Sequence, residues 1–298
     1  MPIPAVLRKC QQSCVRRCRL NWHSNSRKHH SRIFVQVAPL KAHFFRYNEQ
    51  ERTRRRNERR SDAKVSAFTT ILFDLDDTLF DFSACWEKGM INTIATHPLT
   101  HDLDGAALLS ALRRHGDALW VDVIAKKYDF TQYRQLRLQR SMADFNRDIS
   151  AEEINGFQQA YAAACMDAVT PDGHVNELIA DLSKRFTLGI VTNGPVDMAF
   201  IKLERLGLSD YFPRERVFLS ELIGYHKPDP RIYATVLQAL DVEASKVLFV
   251  GDTWEADVAG AMEAGMSAVW INPRGKKQPT SHQPLATIER LEQLAAWL

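Results

Sequence analysis

The 298-residue chain has no apolar run approaching the roughly 18–20 residues of a membrane-spanning helix, so no such span is expected. Its first residues lack the apolar core and cleavage site of a secretory signal, so export is not expected either. Cysteine is scarce. Of five, only Cys85 and Cys165 lie beyond residue 64, a usage that suits a reduced cytoplasmic protein better than a disulfide scaffold. Cys10, Cys14 and Cys18 recur at spacings of four, but no fourth ligand accompanies them, and they are read as chance. Internal repeats are absent. What remains is an ordinary globular composition, 45% hydrophobic and 25% charged, in a chain long enough for one large or two modest domains.

Acidic residues are missing altogether from positions 1–48, and this exposes an asymmetry behind the net charge of +3. Residues 1–64 carry 17 basic against 4 acidic side chains, and residues 65–298 carry 22 against 32, so the body of the protein is acidic. Residues 1–66 show no sustained periodicity and end in the charge run Glu51–Arg60. Four readings stand for them: a nucleic-acid or acidic-membrane binding arm, an organelle transit peptide, a solvated extension, or a stretch outside the mature protein. An unstructured or extraneous tail is favoured over a specific binding device.

The alternation of elements begins at Ile71-Leu72-Phe73, an apolar run that reads as a buried strand and ends in Asp74, Asp76 and Asp77. Residues 86–168 then read as helices. Within them Ser150-Ala151-Glu152-Glu153 is a capping box with the apolar stripe Ile154, Phe157, Tyr161, Cys165 and Ala168 behind it. Strands are expected at 188–191, 217–219, 247–250 and 268–271, with helices at 175–182, 196–206, 231–240, 255–264 and, for the most part, 285–298. Strands alternating with helices of this length predict an α/β fold, a doubly wound, Rossmann-like parallel sheet covered on both faces. The helical block interrupts that alternation and reads as an inserted domain over 86–169, between core segments 67–85 and 170–298.

Ligands bind beyond the carboxyl ends of strands in such sheets, and four candidate groups fall there. Alternation turns Asp74 and Asp76 the same way, and two crowded carboxylates call for a partner, expected to be a divalent cation. The second strand runs into Thr192-Asn193-Gly194, the third is followed by Lys227 before Pro228, and the fourth ends in Gly251-Asp252 with Asp257 five residues on. Singly, each reads as a turn, a surface lysine or a helix cap. Together on one sheet edge they make a site for a cation and a phosphate.

These motifs resemble the haloacid dehalogenase superfamily of phosphohydrolases: Asp74-Leu75-Asp76-Asp77-Thr78, then Thr192, then Lys227, then Gly251-Asp252 through Asp257. The resemblance covers residues 68–298 and implies a small helical cap. It also implies that Asp74 attacks phosphorus, Asp76 exchanges the proton, and Thr192 and Lys227 hold the phosphoryl group, with added donors from Asn193 and Gly194. Mg²⁺ is implied at Asp74, the Asp76 carbonyl and Asp252, with Asp257 either near the metal shell or orienting Lys227. An all-oxygen donor set argues against zinc. Asp76 argues against dehalogenation, which expels halide and needs no proton donor.

Substrate selection is expected from the cap and from the loop after the first strand. Phe80, Phe82 and Trp86 are candidates for an apolar pocket, with Trp120, Tyr133, Arg134 and Arg137 for stacking or charge. The segments Ala118–Asp122 and Lys202–Phe212 resemble bacterial house-cleaning 5′-nucleotidases of the superfamily. The resemblance implies a nucleoside monophosphate; small sugar phosphates, phosphoglycolate and acylneuraminate phosphates stay open, in a monomer or homodimer. A scaffold without catalysis, binding nucleic acid through its basic tail, is the reading of another class. Removal of residues 1–64 separates the two: phosphatase turnover is expected to survive it, and salt-sensitive polyanion binding to vanish. Loss of turnover with the tail would contradict the catalytic reading of the body.

Overall fold

The computed structural model describes residues 68–298. The basic extension, with Cys10, Cys14 and Cys18, lies outside the described residues. Within them, the strands are β1 (Thr70–Phe73), β2 (Thr187–Thr192), β3 (Val217–Leu219), β4 (Val247–Gly251), β5 (Ser267–Ile271) and β6 (Ala286–Ile288). They form one parallel sheet in the order β3-β2-β1-β4-β5-β6. β1 therefore sits at the point where the strand order reverses, flanked by β2 and β4, which is where such sheets open a crevice for ligands.

The sheet is apolar on both sides because its strands are, residue by residue. Ile71, Phe73, Leu248 and Val250 join one core, while Leu72, Val247 and Phe249 join the other. Five helices complete the α/β part: α5 (Gly173–Ser183), α6 (Val196–Arg205), α7 (Ser220–Ile223), α8 (Pro230–Ala239) and α9 (Gly260–Glu263), numbered after four earlier ones described below. α5 and α6 cover the first face through Ile179, Leu182, Ala199 and Leu203. α8 and α9 cover the second through Ile232, Val236 and Ala261. The doubly wound α/β architecture expected from the sequence is the observed one. No helix among the described residues is long and apolar enough to cross a membrane.

Between β1 and α5 the chain forms α1 (Phe82–Thr96), α2 (Gly105–Ile124), α3 (Phe130–Ala143) and α4 (Ala151–Ala168). Each begins on a polar side chain that accepts from an otherwise orphaned backbone N–H: Asp81, Asp104, Asp129 and Ser150. The Ser150–Glu153 capping box read from the sequence is present, and Asp129–Gln132 forms another. α1 starts four residues before the expected helical block, because Asp81 rather than a residue near Trp86 supplies the cap. Met90, Leu108, Leu138 and Phe157 continue the core of the first sheet face into these helices.

Two further segments differ from expectation. Residues 285–298 were expected to be mostly helical, yet Ala286–Ile288 adds to the sheet beside β5 and only Leu291–Trp297 coils, as a 3-10 helix. The open edge of β5 offers unpaired N–H and C=O groups, and pairing them outweighs local helical periodicity. The helix expected over 255–264 is a wide π turn (Trp254–Ala259) before α9. Within it the Ala256 carbonyl accepts from the Tyr233 hydroxyl, a side-chain partner of the kind that accompanies π geometry.

α1 and α4 pack backbone to backbone at Gly89, where an added Cβ would stand 2.7 Å from the Cys165 Cα and 2.8 Å from its N. Relief requires the two helices to part. Gly89→Ala is therefore expected to destabilise the protein by roughly 1–3 kcal/mol, despite alanine's better helix propensity. A urea midpoint equal to or above the wild type would contradict this packing.

Candidate active site

β1 stops at Phe73, and the two residues that alternation would align part company. Asp74 lies at the strand end with its backbone N–H on the Val250 carbonyl of β4. Asp77 adopts the left-handed conformation (φ 59°) that turns the chain, and its carboxylate accepts from the Ser83 N–H and hydroxyl at 2.7 and 2.6 Å. Both Asp74 and Asp76 still face one cavity of about 920 Å³, but each has a different lysine.

Lys227 donates to Asp74 Oδ1 at 2.8 Å and to Asp257 Oδ1 at 2.7 Å. All three are nearly sealed from water, with Lys227 2% and Asp257 1% exposed. Burial works against the lysine's charge, and Asp257 and Asp74 more than offset it, so its pKa stands above the ordinary value. Asp257 has its second oxygen on the Thr253 N–H at 2.9 Å. Both carboxylate oxygens of Asp257 are thus engaged in orienting Lys227 and the turn after β4. Gly251 makes this possible, since any Cβ there would fall 2.4 Å from the Asp257 Cγ.

The backbone of Lys227 is fixed as firmly. Its N–H donates to Asn193 Oδ1 and its carbonyl accepts from Asn193 Nδ2, both at 2.9 Å. The Asn193 side chain thus joins the loop after β2 to the loop before α8. Gly194 N–H donates to Thr192 Oγ1 at 2.9 Å, so that hydroxyl keeps its own proton to give to a ligand.

Lys202 was not foreseen. From α6 it reaches both Asp76 oxygens at 2.7 and 2.8 Å while only 1% exposed. It also lies 4.0 Å from the Phe82 ring centroid. Burial raises the Asp76 pKa, and the Lys202 pairing opposes that without cancelling it. A signal existed in the sequence: Lys202 falls on the buried stripe with Met198, Ala199 and Leu203, where a charge needs a partner.

Asp74, Asp252 and Asp257 have carboxylate oxygens within 4.8 Å of one another. Among the described residues, the one ammonium paired with this group is that of Lys227, on Asp74 and Asp257. Asp252 shows the imbalance: burial, then Asp257 and Asp74, push its pKa up to about 7. Burial likewise lifts Asp257 to about 6, against the opposing pull of Lys227. A donor set of oxygens alone, short of positive charge, fits a hard divalent cation such as Mg²⁺.

Trp86 and Phe82 line the cavity together with Thr192, Asn193 and Gly194, as do Trp120, Tyr133, Arg134 and Arg137 from α2 and α3. Phe80 does not line it. The Asp76–Phe80 bridge turns the chain back, and the Phe80 ring packs at the sheet core with its centroid 6.1 Å from that of Phe82.

The sequence pattern of the haloacid dehalogenase-like hydrolase family matches residues 68–265. A pyrimidine 5′-nucleotidase of Escherichia coli is 30% identical over 75% of this chain and 95% of its own length. One from Streptococcus pneumoniae is 28% identical, over 72% and 88%. A glyceraldehyde 3-phosphate phosphatase of Pyrococcus furiosus is 28% identical over 67% and 79%. Among solved structures, a magnesium-bound putative hydrolase of this family from Bacillus subtilis superimposes with a TM-score of 0.65 at 25% identity, covering 77% of this chain and 97% of that one. A 2-haloacid dehalogenase of Pseudomonas syringae gives 0.57 at 29% identity with the same coverage.

The raised carboxyls set a pH dependence. On unfolding, Asp252 and Asp257 return toward 3.8, so between that value and about 7 the folded protein holds more protons than the unfolded one. Their contribution to stability then falls as pH rises through this window. With metal chelated, the urea midpoint is expected to drop between about pH 4 and about pH 7, less steeply in Asp252→Asn, and Mg²⁺ is expected to raise it at the higher pH. Identical slopes in wild type and variant would contradict the crowding of charge described here.

Proposed function

The chain belongs to the haloacid dehalogenase-like hydrolase family, and we propose that it is a phosphomonoester hydrolase that works through an aspartyl-phosphate on Asp74, with pyrimidine nucleoside 5′-monophosphates as substrates. The observation that carries this reading is the pairing of a buried, lysine-clamped Asp74 with a second carboxylate, Asp76, in the same cavity.

With Oδ1 on Lys227, Asp74 keeps its second oxygen free of any ion pair among the described residues. That oxygen attacks phosphorus as the bond to the substrate's ester oxygen breaks, and Asp76 delivers its proton to the departing alkoxide. Asp76 then takes a proton from the water that attacks the aspartyl-phosphate, releasing phosphate and restoring Asp74. The first step needs Asp76 protonated, which burial favours; the second needs it ionised, which Lys202 favours. Thr192 donates its hydroxyl proton to a phosphoryl oxygen, and Lys227 holds another while keeping Asp74 in line. Bound by Asp74, the Asp76 carbonyl and Asp252, with Asp257 beside them, Mg²⁺ would supply positive charge against the phosphoryl oxygens.

The size and lining of the cavity support a nucleotide over a smaller substrate. A volume of about 920 Å³ with Trp86, Trp120 and Tyr133 in its wall far exceeds what a triose phosphate fills and offers aromatic surface to a base. The Escherichia coli and Streptococcus pneumoniae relatives are named as pyrimidine 5′-nucleotidases, whereas the Pyrococcus furiosus one is named for glyceraldehyde 3-phosphate.

Phosphate release with Mg²⁺ is expected to give the highest kcat/KM for uridine, cytidine and thymidine monophosphates, ahead of purine nucleotides and glyceraldehyde 3-phosphate. A preference for the triose phosphate would contradict the substrate assignment. Asp74→Asn is expected to lower turnover by at least about 1,000-fold in a folded protein. Asp76→Asn should lower it by about 100- to 10,000-fold while Mg²⁺ still binds. Retained turnover in Asp74→Asn would remove it as the nucleophile.

A further inference from the structure

Arg137 is a charged side chain for which the described residues supply no counter-charge. It sits on the inner face of α3, 6% exposed, in the wall of the cavity that holds Asp74. Its neighbours on the same wall are satisfied: Arg134 is paired with Asp197 at 2.7 and 3.1 Å, and Arg113 with Glu87 at 2.9 Å. Arg137 has no carboxylate within ion-pairing distance among the described residues, and its Nε, shut off from solvent, has no acceptor. What it has are aromatic rings, with its guanidinium carbon 5.7 Å from the Trp86 centroid and 5.3 Å from that of Tyr133.

Rings stabilise the cation through their electron-rich faces but accept none of its in-plane N–H donors. A buried donor left unpaired is costly, and a ligand, ion or water that completes it removes the cost. The opposite side is built to keep Arg137 where it is: Gly116 of α2 leaves space in which a Cβ would meet the Arg137 Cδ at 3.2 Å and the Tyr133 hydroxyl at 3.1 Å.

We propose that Arg137 is the specificity-determining residue of this enzyme, donating from its planar guanidinium to an acceptor oxygen on the leaving group of the substrate. This rests on the phosphatase reading above and extends it to the cap-helix wall of the same cavity. The oxygen required is a carbonyl, as on a pyrimidine ring, or a carboxylate, as on a phosphorylated hydroxy acid. A phosphomonoester with neither gains nothing from Arg137.

The test compares wild type, Arg137→Gln and Arg137→Lys on three substrates: uridine monophosphate, phosphoglycolate and phenyl phosphate, whose leaving groups carry a carbonyl, a carboxylate and no such acceptor. Both variants are expected to lose about 10- to 100-fold in kcat/KM, mostly through KM, on the substrate whose oxygen Arg137 holds. Phenyl phosphate should change by less than about threefold, since no bond is lost. Which of the first two substrates suffers identifies the oxygen. Arg137→Lys retains the charge and the buried stem, so it carries the comparison if the glutamine variant does not fold. Equal losses on all three substrates, or none on any, would overturn the assignment. Wild type inactive on all three would instead sink the phosphatase reading itself.

Discussion

Lys227 reaches the site from the loop before α8 and ends between two carboxylates that belong to other parts of the sheet, Asp74 after β1 and Asp257 after β4. An ammonium this deeply buried is tolerated only when paired on all sides, and removing one partner of such a cluster costs on the order of 3–5 kcal/mol. The contact therefore fixes three chain segments at once. Asn193 extends the constraint to a fourth by gripping the Lys227 backbone on both its donor and its acceptor. The parallel sheet makes this economical, because β1, β2 and β4 lie side by side and release their chains at the same edge.

Charge pairing divides the site into two parts. Around Asp74 the carboxylates outnumber the cations, an excess of negative charge that suits a divalent cation. Around Asp76 the balance is even, with Lys202 matching it on both oxygens. The two aspartates stand two residues apart in sequence but in different electrostatic surroundings. α2 and α3 contribute rings and arginines to the same cavity, so its carboxylate-bearing and ring-bearing walls come from separate parts of the chain.

The strands and the residues at their ends were legible because both depend on short-range patterns. Ile71–Phe73 and Val247–Val250 are apolar without a break, and a carboxylate directly after such a run has few structural uses. Lys202 was harder to read, since its place on a buried helical stripe says that it needs a partner but not which one, whereas Arg137 was read as a pocket candidate and only its lack of a counter-charge had to come from the fold. Phe80 misled for the opposite reason: proximity to Asp74 in sequence suggested the pocket, but the left-handed turn at Asp77 sends its ring to the core. β6 escaped because an edge strand of three residues is decided by the neighbour that needs it and leaves almost no periodicity of its own.

The central claim is that Asp74 carries the phosphoryl group between substrate and water. Rapid acid quench during turnover of uridine monophosphate, followed by borohydride reduction and peptide mass analysis, addresses it directly. An acyl phosphate at position 74 would be reduced to homoserine, making that peptide lighter by one oxygen exchanged for two hydrogens. Homoserine at position 74, absent without substrate, is the result expected. An unmodified Asp74 in a protein that is turning over, or the label at another aspartate, would contradict the account.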